Sequence, residues 1–118
     1  MKSPDVIIFL TDQERAIPPY EKKKLIKWRD EALVGRCWFE KNGISFNRHY
    51  TGSLACVPSR PTLFTGQYPD VHGATQTDGI GKNFSDTRMR WLRPGEVPTL
   101  GHWFQAAGYD THYDGKWH

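Results

Sequence analysis

Apolar residues bunch at the start of this 118-residue chain and later fall into helical spacing. Val6-Ile7-Ile8-Phe9-Leu10 is a continuous apolar run rich in β-branched side chains, the pattern of a strand buried on both faces of a parallel sheet. Thr11, Asp12 and Gln13 stand at its C-terminal end. Pro18 and Pro19 then interrupt the chain. Leu25, Trp28, Ala32 and Leu33 mark the apolar stripe of a helix over 20–34, with Lys22, Lys23, Lys24 and Lys27 on its solvated face. A shorter helix over 36–42 closes at Gly43. Residues 44–48 read as a second strand, and the segment from Thr51 leads into a helix that starts near Cys56. Residues 67–97 are irregular and rich in Gly, Pro, Asp, Asn and Thr, and so long a stretch within a compact domain is usually functional or mobile. Leu100, Trp103, Phe104 and Ala107 restore a helix over 98–108, ended by Gly108. A third strand is expected over 109–113.

This order, β-α-α-β-α-loop-α-β, predicts an α/β fold with a mainly parallel sheet flanked by helices, residues 1–118 forming one unit. Ligands of such sheets gather at the carboxyl ends of the strands. Asp12 with Gln13, Cys56 with Arg60, and Lys116 with His118 each follow a predicted strand, so the topology expects them to converge on one edge.

Composition narrows the classes. Hydrophobic residues make up 37% and charged ones 25%, a globular balance. No apolar run approaches the roughly 20 residues that span a bilayer, so no membrane partner is expected. The start leads straight into the first strand without a secretory h-region, which gives a cytoplasmic expectation. Two cysteines, Cys37 and Cys56, make no disulfide framework. The net charge of +3 slightly favours anionic ligands. It comes with no basic-aromatic platform and no zinc spacing, so nucleic acid is not expected.

The chemistry is concentrated in Cys56-Val57-Pro58-Ser59-Arg60-Pro61-Thr62-Leu63-Phe64-Thr65-Gly66. Pro58 suits a first helical turn, where its missing N–H costs nothing, and Gly66 suits the end. Cys56 then lies at a helix N-terminus, where free N–H groups favour anions. Arg60, four residues on, shares its face. Lys116 and His118 alternate with Trp117, so in extended chain they share a face too. Taken singly, these residues have plainer readings: Asp12 as a turn carboxylate, Lys116 as a solvated cation, Cys37 as a small core residue beside Trp38. His49, His102 and His112 have no partner legible in the sequence.

As a whole, the Cys56 run fits C-x-P-S-R-x-x-L-x-T-G and resembles the maturation and active-site signature of type I sulfatases, in the alkaline phosphatase superfamily. Gly108 to His118, ending Gly115-Lys116-Trp117-His118, resembles the family's second signature. Thr65-Gly66-Gln67-Tyr68-Pro69-Asp70-Val71-His72-Gly73 resembles the segment that follows the cysteine helix. Pro4 to Gln13 resembles the family's N-terminal metal-binding strand. The resemblance implies that a formylglycine-generating enzyme oxidises Cys56 to formylglycine, whose hydrate has two oxygens, one to attack sulfur and one to expel sulfate. It implies that Arg60 holds that hydrate, that Lys116 sits beside the sulfate, and that His118 takes a proton. Asp12, Gln13 and the modified Cys56 would bind a divalent metal, Ca2+ first, with Mg2+ or Mn2+ as alternatives. His72 would mainly fix its loop, with a substrate contact as the second reading.

Gln13 departs from the family's usual Asp-Asp pair: it keeps a carbonyl oxygen but brings no charge, which leaves the metal and the branch of the family open. The family's remaining metal ligands lie in regions this chain does not contain. The expected function is therefore that of the N-terminal part of a sulfatase acting on a sulfate ester of a small molecule or glycan, inactive without the remainder of the catalytic domain. Two alternatives stand beside it: a phosphonate monoester hydrolase or phosphodiesterase of the same superfamily, and a non-catalytic anion-binding fragment.

Overall fold

The structure is a computed structural model that describes residues 3–79 and 81–117. His118 lies outside the described residues, and so does its expected role. The chain divides into two units, Met1–His49 and Tyr50–His118.

The first unit holds helices α1 (Lys23–Ala32) and α2 (Val34–Asn42), which pack against each other. The proline pair turns the chain into α1 as expected, with the Glu21 N–H donating to the Pro18 carbonyl. Glu21 also pairs with Arg29 at 3.3 Å. The α2 end is closed by the Gly43 N–H bonding to the Phe39 carbonyl, in extended rather than left-handed backbone. Neither helix buries a residue. The apolar stripe of α1 is real in spacing, yet Trp28 remains 55% exposed.

The second unit is organised around α3 (Cys56–Thr65), with α4 (Pro69–His72) and α5 (Leu100–Ala106) both packed on it. Its interior is made by Val57, Pro58, Pro61, His72, Ala74 and Met89. The α3 helix begins at Cys56 and ends at Gly66, whose φ of 70° closes the helix with an N–H bond to the Thr62 carbonyl. Pro61, inside the helix, cannot donate to the Val57 carbonyl. Thr62 Oγ1 and Thr65 Oγ1 bond back to the carbonyls of Pro58 and Pro61, at 2.8 and 2.6 Å. The α5 helix opens with a capping box in which His102 takes the place usual for Glu or Gln: Thr99 and His102 satisfy each other's end of the first turn. Phe104 meets Tyr109 edge-on at 5.2 Å just past the helix.

The expected parallel sheet does not appear among the described residues. The segments 6–10, 44–48 and 109–113 carry no strand ladder, and one isolated antiparallel bridge joins Gly79 and Lys82. The reason is intrinsic to strands. A helix satisfies its own N–H and C=O groups, whereas a strand has none satisfied until a neighbour lies beside it. Ile7 and Phe9 are correspondingly 75% and 80% exposed. The expected convergence on a sheet edge has no sheet edge to rest on here. Among its described residues, the irregular stretch over 67–97 holds the short α4 and the Gly79–Lys82 bridge, with turns between irregular segments.

Candidate active site

The approach to α3 is fixed by hydroxyl groups. Ser53 Oγ accepts the Ala55 N–H at 3.2 Å, and Thr51 Oγ1 lies 3.0 Å from Ser59 Oγ. Gly52 runs so close to the helix that a Cβ there would come within 2.8 Å of the Thr62 methyl and 3.2 Å of the Tyr68 ring. Ala55 is the N-cap residue and offers no capping side chain, and the first turn contains no acidic residue. The first backbone donors of α3 thus belong to Cys56 and Val57, since Pro58 has none and the Ser59 N–H already bonds to the Ala55 carbonyl. Such a helix start favours negative charge. Cys56 itself is half-buried and unpaired in any disulfide.

Arg60 is a buried charge, 7% exposed. Its Nη1 donates to the Lys116 carbonyl at 2.5 Å. The same carbonyl accepts the Tyr113 hydroxyl at 2.5 Å. A stacked and edge-on aromatic cluster holds this segment against α3: Phe64 stacks on Trp117 at 4.9 Å, and Tyr113 meets both rings edge-on at 5.7 and 5.5 Å. The helix of the first motif and the chain of the second are therefore joined. The join runs through the backbone of Lys116, while its side chain is exposed. The sequence placed Arg60 and Lys116 at one site but gave no hint that a carbonyl would link them. The aromatic spacing of Phe64, Tyr113 and Trp117 was the available signal.

His72 is 2% exposed and has both ring nitrogens engaged. Nδ1 accepts the Ala74 N–H at 3.2 Å, and Nε2 lies 3.1 Å from Thr62 Oγ1. Burial pushes its pKa below the ordinary histidine value, against hydrogen bonds to the backbone that raise it. In this arrangement both ring nitrogens are engaged within the second unit. Thr62, which sequence reasoning passed over, is the partner that explains the histidine.

Asp12 and Gln13 belong to the first unit. Both are exposed, and Gln13 is in left-handed backbone, φ 59°, where a non-glycine residue is uncommon. Thr11 Oγ1 donates to Glu14 Oε2 at 2.9 Å across this turn, and Arg36 reaches Glu14 at 3.4 Å. A carboxylate and an amide oxygen suit a hard divalent cation, which takes six or more oxygens when it is Ca2+. Among the described residues, no three His, Cys, Asp or Glu side chains come together. The donors are right in kind and too few, so the described residues do not by themselves hold such an ion.

The sulfatase family model matches residues 4–118. The chain belongs to the sulfatase family. It is 35% identical over its whole length to an uncharacterized sulfatase, YidJ, of Escherichia coli strain K12, covering 20% of that protein. It is 28% identical over 98% of its length to the human N-acetylglucosamine-6-sulfatase and 30% identical over 98% to an ulvan-active sulfatase of Formosa agariphila, covering 19% of each. The chain thus spans about a fifth of the length of these relatives. No solved structure matches it. Family membership implies the alkaline-phosphatase-like fold, whose parallel sheet does not appear among the described residues.

Proposed function

We propose that this chain supplies the nucleophile-bearing part of a sulfatase, which hydrolyses an organic sulfate ester through a formylglycine derived from Cys56. The observation that carries this reading is the placement of Cys56 at the first residue of α3, with Arg60 one turn on and anchored to the Lys116 carbonyl. Formylglycine, once formed, supplies a hydrated aldehyde in place of a thiol. The chain's own residues do the rest of what can be derived. The uncapped helix start, with its Cys56 and Val57 N–H groups, favours a sulfate oxygen. Arg60 adds a fixed positive charge on the Cys56 side of the helix and is held by a charge-assisted bond. The backbone join at Lys116 brings the lysine's segment to the helix that carries the cysteine. Hard oxygen donors at Asp12 and Gln13 fit Ca2+ in kind, with further ligands required from outside the described residues. A sulfatase-maturating enzyme is the partner this reading requires, and the alcohol half of the ester is left open.

A chimera tests the proposal. The matching region of the Escherichia coli relative is replaced by residues 1–118 and produced together with a maturating enzyme. The chimera is expected to turn over an aryl sulfate faster than an aryl phosphate diester, with Cys56→Ala reducing the rate at least a thousandfold, about 4 kcal/mol of barrier. Preference for the diester would instead favour the phosphodiesterase branch.

A further inference from the structure

The strongest unabsorbed feature is the hydrogen-bonded chain around His72. The Ala74 N–H can only donate, so Nδ1 accepts, and the ring's single proton must then sit on Nε2. Nε2–H therefore points at Thr62 Oγ1, whose own proton goes to the Pro58 carbonyl at 2.8 Å. The direction of every bond in this chain follows from one backbone donor. Its members Pro58, His72 and Ala74 are all buried, and it ends in the first turn of the helix that begins at Cys56.

We propose that His72 is a positioning residue: as a neutral Nε2–H imidazole it ties the loop after α4 to the first turn of the Cys56 helix through Thr62. This rests on the sulfatase reading only in that the positioned helix carries Cys56. The surrounding geometry leaves the ring little choice. Pro69 starts α4, and Gly73 ends it at φ 81° so that the chain doubles back and brings the Ala74 N–H onto the ring. A Cβ at Gly73 would run into the Arg90 side chain. The connection is also pH-sensitive. A second proton would go to Nδ1, directly opposite the Ala74 N–H, and two donors would then face each other. The charged groups of the neighbouring elements are Asp70 on α4, which is exposed, Arg60 on α3, directed to the Lys116 carbonyl, and Arg90, paired with Glu96. The ring's hydrogen bonds go to Thr62 Oγ1 and the Ala74 N–H, the Pro58 and His72 carbonyls partly offset the cost of burial, and none of these carboxylates bonds the ring.

Long-range proton–nitrogen NMR of the histidine rings in the 118-residue chain tests this without turnover. The expected result is a His72 ring in the Nε2–H form that takes up its second proton only below the ordinary histidine value of 6.5. Thr62→Val should make the Ser59 amide exchange about fivefold faster, and Thr62→Ser should restore it. An Nδ1–H ring, protonation at or above the ordinary histidine value, or equal effects of the two Thr62 variants would overturn the proposal. If Thr62→Val fails to fold, the tautomer and titration of the unmodified chain decide alone. A dead chimera with an Nε2–H ring counts against the sulfatase reading only, and an active chimera with an Nδ1–H ring counts against the positioning role only.

Discussion

The two units of this chain differ in what holds them. In Tyr50–His118, α3 is gripped from several directions by side chains that bond to backbone: Arg60 to the Lys116 carbonyl, Thr62 to the Pro58 carbonyl, and His72 to the Ala74 amide. In Met1–His49, two helices touch along one side, and the apolar run over 6–10 stays open to solvent. Both units have apolar residues in good patterns. In the first, the polar ties lie at exposed positions, as in Cys37 Sγ to the Asp30 carbonyl and Arg36 to Glu14 and Glu40; in the second, they reach the buried residues Arg60 and His72. Hydrophobic spacing thus says where an element forms, and directional bonds to buried backbone say whether it is held.

Substitutions can break this contrast. The largest effect is expected from His72→Ala, which empties a buried site, strands the Ala74 N–H and removes the donor to Thr62 Oγ1. A loss of about 3 kcal/mol in the stability of the second unit should appear in urea unfolding followed by Trp103 and Trp117 fluorescence. Gly73→Ala should cost about 2 kcal/mol in the same measurement, because a Cβ is unfavourable at positive φ and meets Arg90 here. Arg60→Met keeps the apolar stem and removes the donor to the Lys116 carbonyl. It should cost about 1.5 kcal/mol and free the 113–117 segment, seen as faster amide exchange there. If the first unit is as loosely held as its exposure suggests, Trp28→Ala should change its unfolding by less than about 0.5 kcal/mol.

Acidity sharpens the same comparison. The folded-state pKa of His72 lies below its ordinary 6.5, so between the two values the unfolded chain binds more protons than the folded one. Stability from this group is complete above pH 6.5 and falls as pH drops from there towards the folded value. The second unit should lose stability over that window, and His72→Asn should remove the dependence. The first unit does not contain this buried ring, and its unfolding over the same pH range is the reference.

Much of this was legible beforehand, for identifiable reasons. The limits of α3 were written in Pro58 and Gly66, because proline and glycine constrain backbone locally. The α5 helix could be read from Leu100, Trp103, Phe104 and Ala107 because a helix closes its own hydrogen bonds. The strands could not be secured in the same way, since Val6 to Leu10 can pair only with something elsewhere. Cys56 and Arg60 were visible as one helix face. The Arg60–Lys116 carbonyl bond was not, because a carbonyl leaves no mark in sequence. The Thr62–His72 pairing joins residues ten apart across a turn that only the fold defines.

Mass spectrometry of the peptide containing Cys56, after production of the chain with a sulfatase-maturating enzyme, tests the central claim most directly. The account predicts an aldehyde at position 56 that is captured by a hydrazine reagent and no longer alkylated by iodoacetamide. A fully alkylated thiol at Cys56, under conditions in which the same enzyme converts the cysteine of the Escherichia coli relative, would contradict it.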